Sequence, residues 1–537
     1  MAAFFKKPLR PRRVNSIKNG PYQEKKQTHH PSQSLLLSTD IDSNLNYLKA
    51  IFQDCSDVIF REFLLAQNEQ IKLALIYTDG LTDKTQISEQ IMRALTLEIP
   101  MVVHGEEITR ANALHFIKMK GLCINQVRES QKIEEIVSAI LSGETVLLVD
   151  GHSTALINDI RSWEMRAIED SKTETVVRGP RESFVETLRT NTSMLRRKIK
   201  NPNLKIEMTK LGEVSKTDIA VAYIKGIVNQ DLVTEVKSRL EKIKIDGILD
   251  SGYLEELIKD NAYSPFSTIS HTDRPDRVAA NLLEGRVAIL VDGTPVVLTM
   301  PYIFLETIQT PEDYYEQSFF TSVIRILRIG SLIASLTLPS LYIAIISFHH
   351  EMLPTPLLLS MAAQREAVPF PVFVEAFLME IAFEIIREAG IRLPRPVGQA
   401  VSIVAALIIG EAAVQAGLVA AATVIVVSLT AMASFTIYYS GSITIRLLRF
   451  PLMILAASLG LFGLISGITI FVVHMAGLRS FGVPYLAPVG PIITGDLKDS
   501  VVRVPWWAMN KRPYLMGQNN PQREASRLKP QPSRPKK

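Results

Sequence analysis

Three stretches of this chain carry no charged residue over lengths that a water-soluble fold seldom uses: Ile329 to Phe348, Ala412 to Ile445 and Phe450 to Val473. Crossing the hydrocarbon of a bilayer takes about 20 such residues. Hydrocarbon offers the backbone no partners, so a crossing segment must satisfy its own N–H and C=O groups, as a helix does. Nothing before about residue 318 has this character. The pattern predicts an α/β cytoplasmic domain of two similar subdomains, followed by an all-α polytopic membrane domain.

Charge is segregated to match. The 537 residues are 47% hydrophobic and 21% charged, with a formal net charge of +5. Residues 1–30 hold eight Lys and Arg against Glu24, and residues 498–537 hold ten against Asp499 and Glu524. The two ends therefore carry +15 and the rest of the chain −10. Basic segments beside a membrane favour anionic headgroups; neither end has the folded reader or interleaved aromatics that nucleic acid would call for. Two cysteines, Cys55 and Cys123, make no disulfide framework. The first residues contain no apolar run long enough for a signal peptide, so the N-terminal domain is expected in the cytoplasm.

Residues 1–37 read as a disordered basic arm, 38–175 and 176–310 as two subdomains, 319–478 as the membrane domain and 479–537 as a basic tail. The evidence for two subdomains is a repeat: Leu141-Ser-Gly-Glu-Thr-Val-Leu-Leu-Val-Asp150-Gly151 is echoed by Leu283-Glu-Gly-Arg-Val-Ala-Ile-Leu-Val-Asp292-Gly293. Each reads as a helix end, a buried strand and an Asp-Gly hairpin turn, which needs positive φ. The paired lobes either frame a ligand cleft or use these hairpins structurally. The helix carrying Arg189, Arg196, Arg197, Lys198 and Lys200 reads as a basic surface. No phosphate loop, zinc motif or nucleophile elbow occurs, so neither an enzyme, a cofactor nor a metal site is expected.

Five spans are predicted at about 320–348, 369–388, 396–417, 419–440 and 451–476. In the second, Glu380, Glu384, Arg387 and Glu388 share a helical face, with Glu375 on another. Intramembrane carboxylates are costly and face a bundle interior, a water path or the interface. In the third, Gln399, Ser402, Ala406 and Gly410 begin a stripe of small and polar side chains, which serves either close packing or a pore lining. Glu411 and Gln415 form a second polar line. Arg387, Arg392, Arg395, Arg446 and Arg449 place their loops in the cytoplasm by the positive-inside rule. Five spans would then leave the basic tail outside, against the same rule, unless one segment is re-entrant, with the second as the first choice. Trp506-Trp507, flanked by Arg503 and Lys511, suits a headgroup-level anchor.

The chain resembles the A subunits of GerA-type spore germinant receptors from about Ser43 to Tyr514. The resemblance is carried by Val177-Arg-Gly-Pro-Arg181, Tyr263-Ser-Pro-Phe266, Arg274-Pro-Asp-Arg277, Asp313-Tyr-Tyr-Glu316, Val368-Pro-Phe-Pro371, Arg387-Glu-Ala-Gly390, Gly398-Gln399 and Arg446-Leu-Leu-Arg449-Phe450. It implies a homo-oligomer, expected as a pentamer, in the spore inner membrane. The implied partners are a transporter-like B subunit that receives the nutrient and a lipoprotein C subunit, besides the lipid bilayer. It further implies a nutrient-gated channel for monovalent cations, with Gln399, Ser402, Ile403, Ala406 and Gly410 at the lining. An ion-coupled transporter using Glu375, Glu380, Glu384 and Glu411, or a non-conducting scaffold, are the alternatives.

Overall fold

A computed structural model describes residues 35–65, 68–98, 108–121, 126–162, 171, 174–392, 410–437, 439–524 and 528–530. Its N-terminal half holds two five-stranded antiparallel sheets. The first comprises β1 (Val58–Leu65), β2 (Asn68–Thr78), β3 (Val127–Ser130), β4 (Thr145–Val149) and β5 (Ala155–Asn158), in the order β1-β2-β4-β5-β3. The second comprises β6 (Leu204–Leu211), β7 (Thr217–Ile224), β8 (Ser270–Thr272), β9 (Val287–Val291) and β10 (Val297–Met300), in the order β6-β7-β9-β10-β8. Counted within each lobe, the two orders are identical.

Helices cover both faces of each sheet, which is why β4 and β9 are buried along their whole length and apolar at every position after Thr145. In the first lobe α1 (Ile41–Ile51) and α2 (Ile133–Leu141) pack on Ala74, Ile76, Val146 and Leu148. In the second, α3 (Leu188–Lys198) and a later helix, Pro275–Glu284, pack on Ala220, Ala222, Ala288 and Leu290. The opposite face of that sheet takes α4 (Gln230–Glu241) and α5 (Ser251–Ile258); the helix Pro275–Glu284 is α6.

The likeness of the lobes extends to side chains. Asn44, in the first turn of α1, exchanges two hydrogen bonds with the backbone of Ser38. Asn191, at the same position of α3, does so with Val185. The Asp-Gly turns have glycine at φ 85° and 88°. Their amides, Gly151 N–H and Gly293 N–H, donate to Thr39 and Glu186, each two residues before its helix. These hairpins therefore anchor helix starts rather than line a cleft.

The lobes are fastened together where the sequence suggested a basic surface. Arg196 of α3 is fully buried and forks onto Asp57 of the first lobe at 2.9 and 2.8 Å, with a further bond to the Leu204 carbonyl. Arg189, Arg197 and Lys198 pair with Asp79 and Glu182. Asp57, 139 residues before Arg196, and Asp79 both belong to the first lobe, so helical periodicity alone does not find them.

The second half is helical: α7 (Ser318–Phe348), α8 (Thr355–Arg365), α9 (Val372–Arg392), α10 (Ala421–Phe435) and α11 (Tyr439–Gly477). Among the described residues, Ser318–Phe348 and Ile443–Gly477 are long and apolar enough to cross a membrane. The span predicted at 419–440 is shorter here, and the one predicted at 451–476 starts earlier, at Tyr439. It is also broken. Gly460 has φ 62° and ψ −141°, outside any helix, and the chain turns back on itself there. A methyl group built on Gly467 would lie 2.5 Å from Leu452 and 2.9 Å from Leu455; on a straight helix residues 452 and 467 would be about 22 Å apart. Gly463 and Gly467 thus pack one arm of α11 against the other.

This reversal brings both ends of α11 to the same side of the helical half. Near the start of α11, Thr444 donates to the Pro265 carbonyl at 2.7 Å; near its end, His474 lies 3.1 Å from Ser264 Oγ. Both arms open toward the second lobe, and Gly460 sits at the far end against Phe348 and His349. The chain therefore reverses within the last predicted span, at Gly460. The tail then binds the second lobe: Ser480 Oγ donates to Thr268, Arg512 to the Leu283 carbonyl and Asn519 to the Val228 carbonyl. Gly460→Ala should cost about 1–3 kcal/mol in backbone strain alone, before the clash with His349. Gly477→Ala, with open space around it, serves as the control, and unfolding midpoints in detergent compare the two.

Candidate functional site

The carboxylates of α9 meet arginines from its neighbours. Glu375, fully buried, accepts from the Ala420 amide at 3.0 Å and from Thr423 Oγ1 at 3.1 Å. It thereby caps α10, whose own cap residue, Ala420, has no side-chain acceptor. A carboxylate suits the unpaired amides at a helix start. Arg365 of α8 approaches its other oxygen at 3.2 Å, and Tyr342 of α7 bonds to Thr423. Glu375 thus ties α9 to α8 and α10, and Thr423 extends the link to α7.

A turn and a half further on, Glu380 and Arg449 form a pair at 2.9 Å with both side chains at 0% exposure. Glu384 takes Arg449 at 2.7 Å and Arg446 through a short bond, while Arg387 stands 3.6 Å away. Arg387 donates to Ser434 of α10 at 2.6 Å and stacks on Phe383 and Phe435. The planar guanidinium of Arg449 serves two carboxylates at once, which an ammonium does less well. The shared face read from spacing is thus real for Glu380, Glu384 and Arg387. Glu388 turns instead to Arg392 on the surface. What the sequence reading missed is that Arg446 and Arg449, taken there as topology signals, are the counter-charges; their i, i+3 spacing in an apolar helix was the available sign.

Of the proposed lining residues, Gln399, Ser402, Ile403 and Ala406 lie outside the described residues. Gly410 is buried, with Val424 of α10 at contact distance from where a Cβ would stand. Glu411 and Gln415 bond to each other at 3.1 Å on an exposed face. The helix they belong to ends at Gly417, φ 65°, where Leu418 N–H returns to the Ala413 carbonyl. Left-handed glycine closing a helix this way satisfies carbonyls that would otherwise be orphaned.

A second charged centre, not read from the sequence, joins the lobes to the helices. Arg325, two turns into α7, is fully buried. It donates to Asp313 at 2.7 Å and to Asp499 of the tail at 2.7 Å. Arg328 binds the same Asp313 at 2.8 and 3.0 Å, and Tyr314 O–H donates to Asp499 at 2.7 Å. Burial pushes the Asp313 carboxyl up, but the Arg328 bonds and the Arg325 charge outweigh it and hold it below the ordinary carboxylate range. Burial, with Asp499 nearby, drives the Tyr314 phenol well above its usual value. Among the described residues, no group of three or more His, Cys, Asp or Glu is arranged to hold a metal ion.

Comparison with known proteins agrees along the length of the chain. The family described as Bacillus/Clostridium GerA spore germination protein matches residues 46–515. Spore germination protein KA of Bacillus subtilis (strain 168) is 47% identical over 500 residues, 93% of this chain and 91% of that one. Spore germination protein A1 of the same organism is 38% identical over 90% of this chain and 98% of its own length. The crystal structure of the N-terminal domain of the A subunit of the Bacillus megaterium spore germinant receptor GerK3 is 35% identical. It covers 50% of this chain and 98% of that one, with a TM-score of 0.40. Most of the described helical half and both lobes fall within the matched residues, and the chain belongs to the GerA family of spore germination proteins.

Proposed function

We propose that this chain is the A subunit of a spore germinant receptor and that its helical half spans the spore inner membrane. In this reading the copies form a ring, expected to be a pentamer, around a nutrient-gated cation path. The carrying observation is the inverted packing of the helical half. Glu375, Glu380 and Arg449 are fully buried, while Phe462, Ile465, Ile470 and Val473 are 61–71% exposed. Charges inside and large apolar side chains outside is the arrangement that hydrocarbon selects. The Gly460 reversal then returns the tail to the lobe side, so both ends of the described structure lie in the cytoplasm. The family's receptor role supports B and C subunits as partners, with the B subunit receiving the nutrient.

The conducting path is assigned to Gln399, Ser402, Ile403, Ala406 and Gly410 around the ring axis. A coupled transporter working through Glu375, Glu380, Glu384 and Glu411 would have to break the pairs of the first three with Arg365, Arg449 and Arg446 in each cycle, so the channel is the favoured reading. The full chain in liposomes, alone and with its B and C partners, tests it by rubidium flux. Ala406→Leu should cut flux tenfold or more, on the order of the barrier a bulky side chain adds to a narrow pore, while leaving the ring intact in detergent. Unchanged flux, or a ring that falls apart, would assign the stripe to helix packing. Saturable flux that needs a counter-ion would identify a transporter, and no flux with all subunits present a scaffold.

A further inference from the structure

The tail does more than return to the lobes. After Asp499 it lies along the first turns of α7: Ser322 Oγ both donates to the Arg503 carbonyl and accepts from its amide, at 3.2 Å each. Trp506 Nε1 then donates to the Tyr314 carbonyl at 3.2 Å. Trp506 and Trp507, 41% and 38% exposed, follow directly on the Arg503 that Ser322 holds, and Phe319 and Phe320, 82% and 56% exposed, lie within a turn of Ser322 at the start of α7. The Arg523 guanidinium stands 5.1 Å from the Trp506 ring and the Lys529 ammonium 5.3 Å from the Trp507 ring.

Four exposed aromatic rings, the two indoles among them capped by cations, have no reason to face bulk water together. Phe319 and Phe320 lie where α7 leaves the lobes, less than three turns before the uncharged stretch that begins at Ile329. At that depth an amphipathic ring has its apolar body toward acyl chains and its polar edge toward headgroups. Fixed positive charge at the same level attracts anionic lipid, and the chain continues beyond Lys529 with Arg534, Lys536 and Lys537.

We infer that Trp506, Trp507, Arg523 and Lys529 of the tail, with Phe319 and Phe320 of α7, form an anionic-phospholipid binding surface: the four aromatic side chains enter the headgroup layer and Arg523 and Lys529 take the phosphates. The inference rests on the membrane reading given above. The surface is built by the tail but seated on α7, so lipid composition bears directly on the junction of lobes and helices.

The chain has three tryptophans, and the third, Trp163, lies outside the described residues. Trp163→Phe in the full chain therefore leaves only the tail pair to fluoresce. In vesicles of phosphatidylcholine with brominated acyl chains, adding phosphatidylglycerol should deepen quenching. Arg523→Glu together with Lys529→Glu should raise the phosphatidylglycerol fraction needed for half the effect by roughly fivefold or more, since each charge contributes on that scale. Lys529→Glu alone, which touches no buried group, should shift it in the same direction. Emission insensitive to brominated lipid but quenched by aqueous iodide would place the pair in water. Emission insensitive to both would place it under protein, and either outcome overturns the inference. Resistance of the same vesicles to alkaline extraction, and their rubidium flux, report separately on the membrane and channel readings.

Discussion

Asp313→Asn should lower the stability of the folded chain by about 3–5 kcal/mol, the usual cost of removing one partner from a buried charge cluster. Asp313 is the carboxylate that Arg325 and Arg328 share, and its side chain is 2% exposed. Without its charge, Arg328 keeps only the Ile308 carbonyl, Thr310 Oγ1 and a weakened amide contact, and Arg325 depends on Asp499. Asp499→Asn should cost less, because that side chain is 28% exposed and water can replace part of the lost interaction. Unfolding midpoints of the detergent-solubilised chain rank the three proteins; equal midpoints for wild type and Asp313→Asn would refute the role. The pH dependence has a fixed sign. Because the folded carboxyl titrates below its unfolded value, its contribution is complete above an unfolded pKa of about 4. It is lost as the pH falls further through the folded value. The acid limb should therefore be shallower in Asp313→Asn than in the wild type.

The second large effect is at Arg449. Arg449→Met leaves Glu380 fully buried without its ion-pair partner, again a loss of about 3–5 kcal/mol. Glu384 retains Arg446, so the damage centres on Glu380. Adding Glu380→Leu removes the stranded charge, and the double variant should recover most of the loss, giving a coupling energy of about 2–3 kcal/mol in the cycle. Additive losses would mean that the pair does not act as a unit. Under the channel proposal, cation flux through the double variant then separates stability from conduction: a pair that only holds helices together should leave flux near the wild-type level.

What could be read from the chain beforehand was local in sequence. The Leu141 and Leu283 segments announced two lobes, and the lobes share strand order, hairpin and even the Asn44 and Asn191 bridges. The face of α9 was equally visible, because helical spacing brings Glu380, Glu384 and Arg387 together whatever the rest of the chain does. Partners separated by many residues were not visible. Arg449 is 65 residues from Glu384, Asp57 is 139 from Arg196 and Asp499 is 174 from Arg325. A charged side chain on a helix looks the same in sequence whether it faces water or a distant counter-charge. Gly463 and Gly467 show the same difficulty with apolar packing. Small residues at helical spacing signal close approach, but not that the approaching surface is the other half of the same helix.

The tie between Arg325 and Asp499 has a mechanical consequence. The helix that leaves the lobes and the segment that comes back are clamped to one block, so the bundle is a closed circuit with no free end to absorb slack. Tilting its outgoing limb must drag the returning one along, and any rearrangement has to move as a concerted loop.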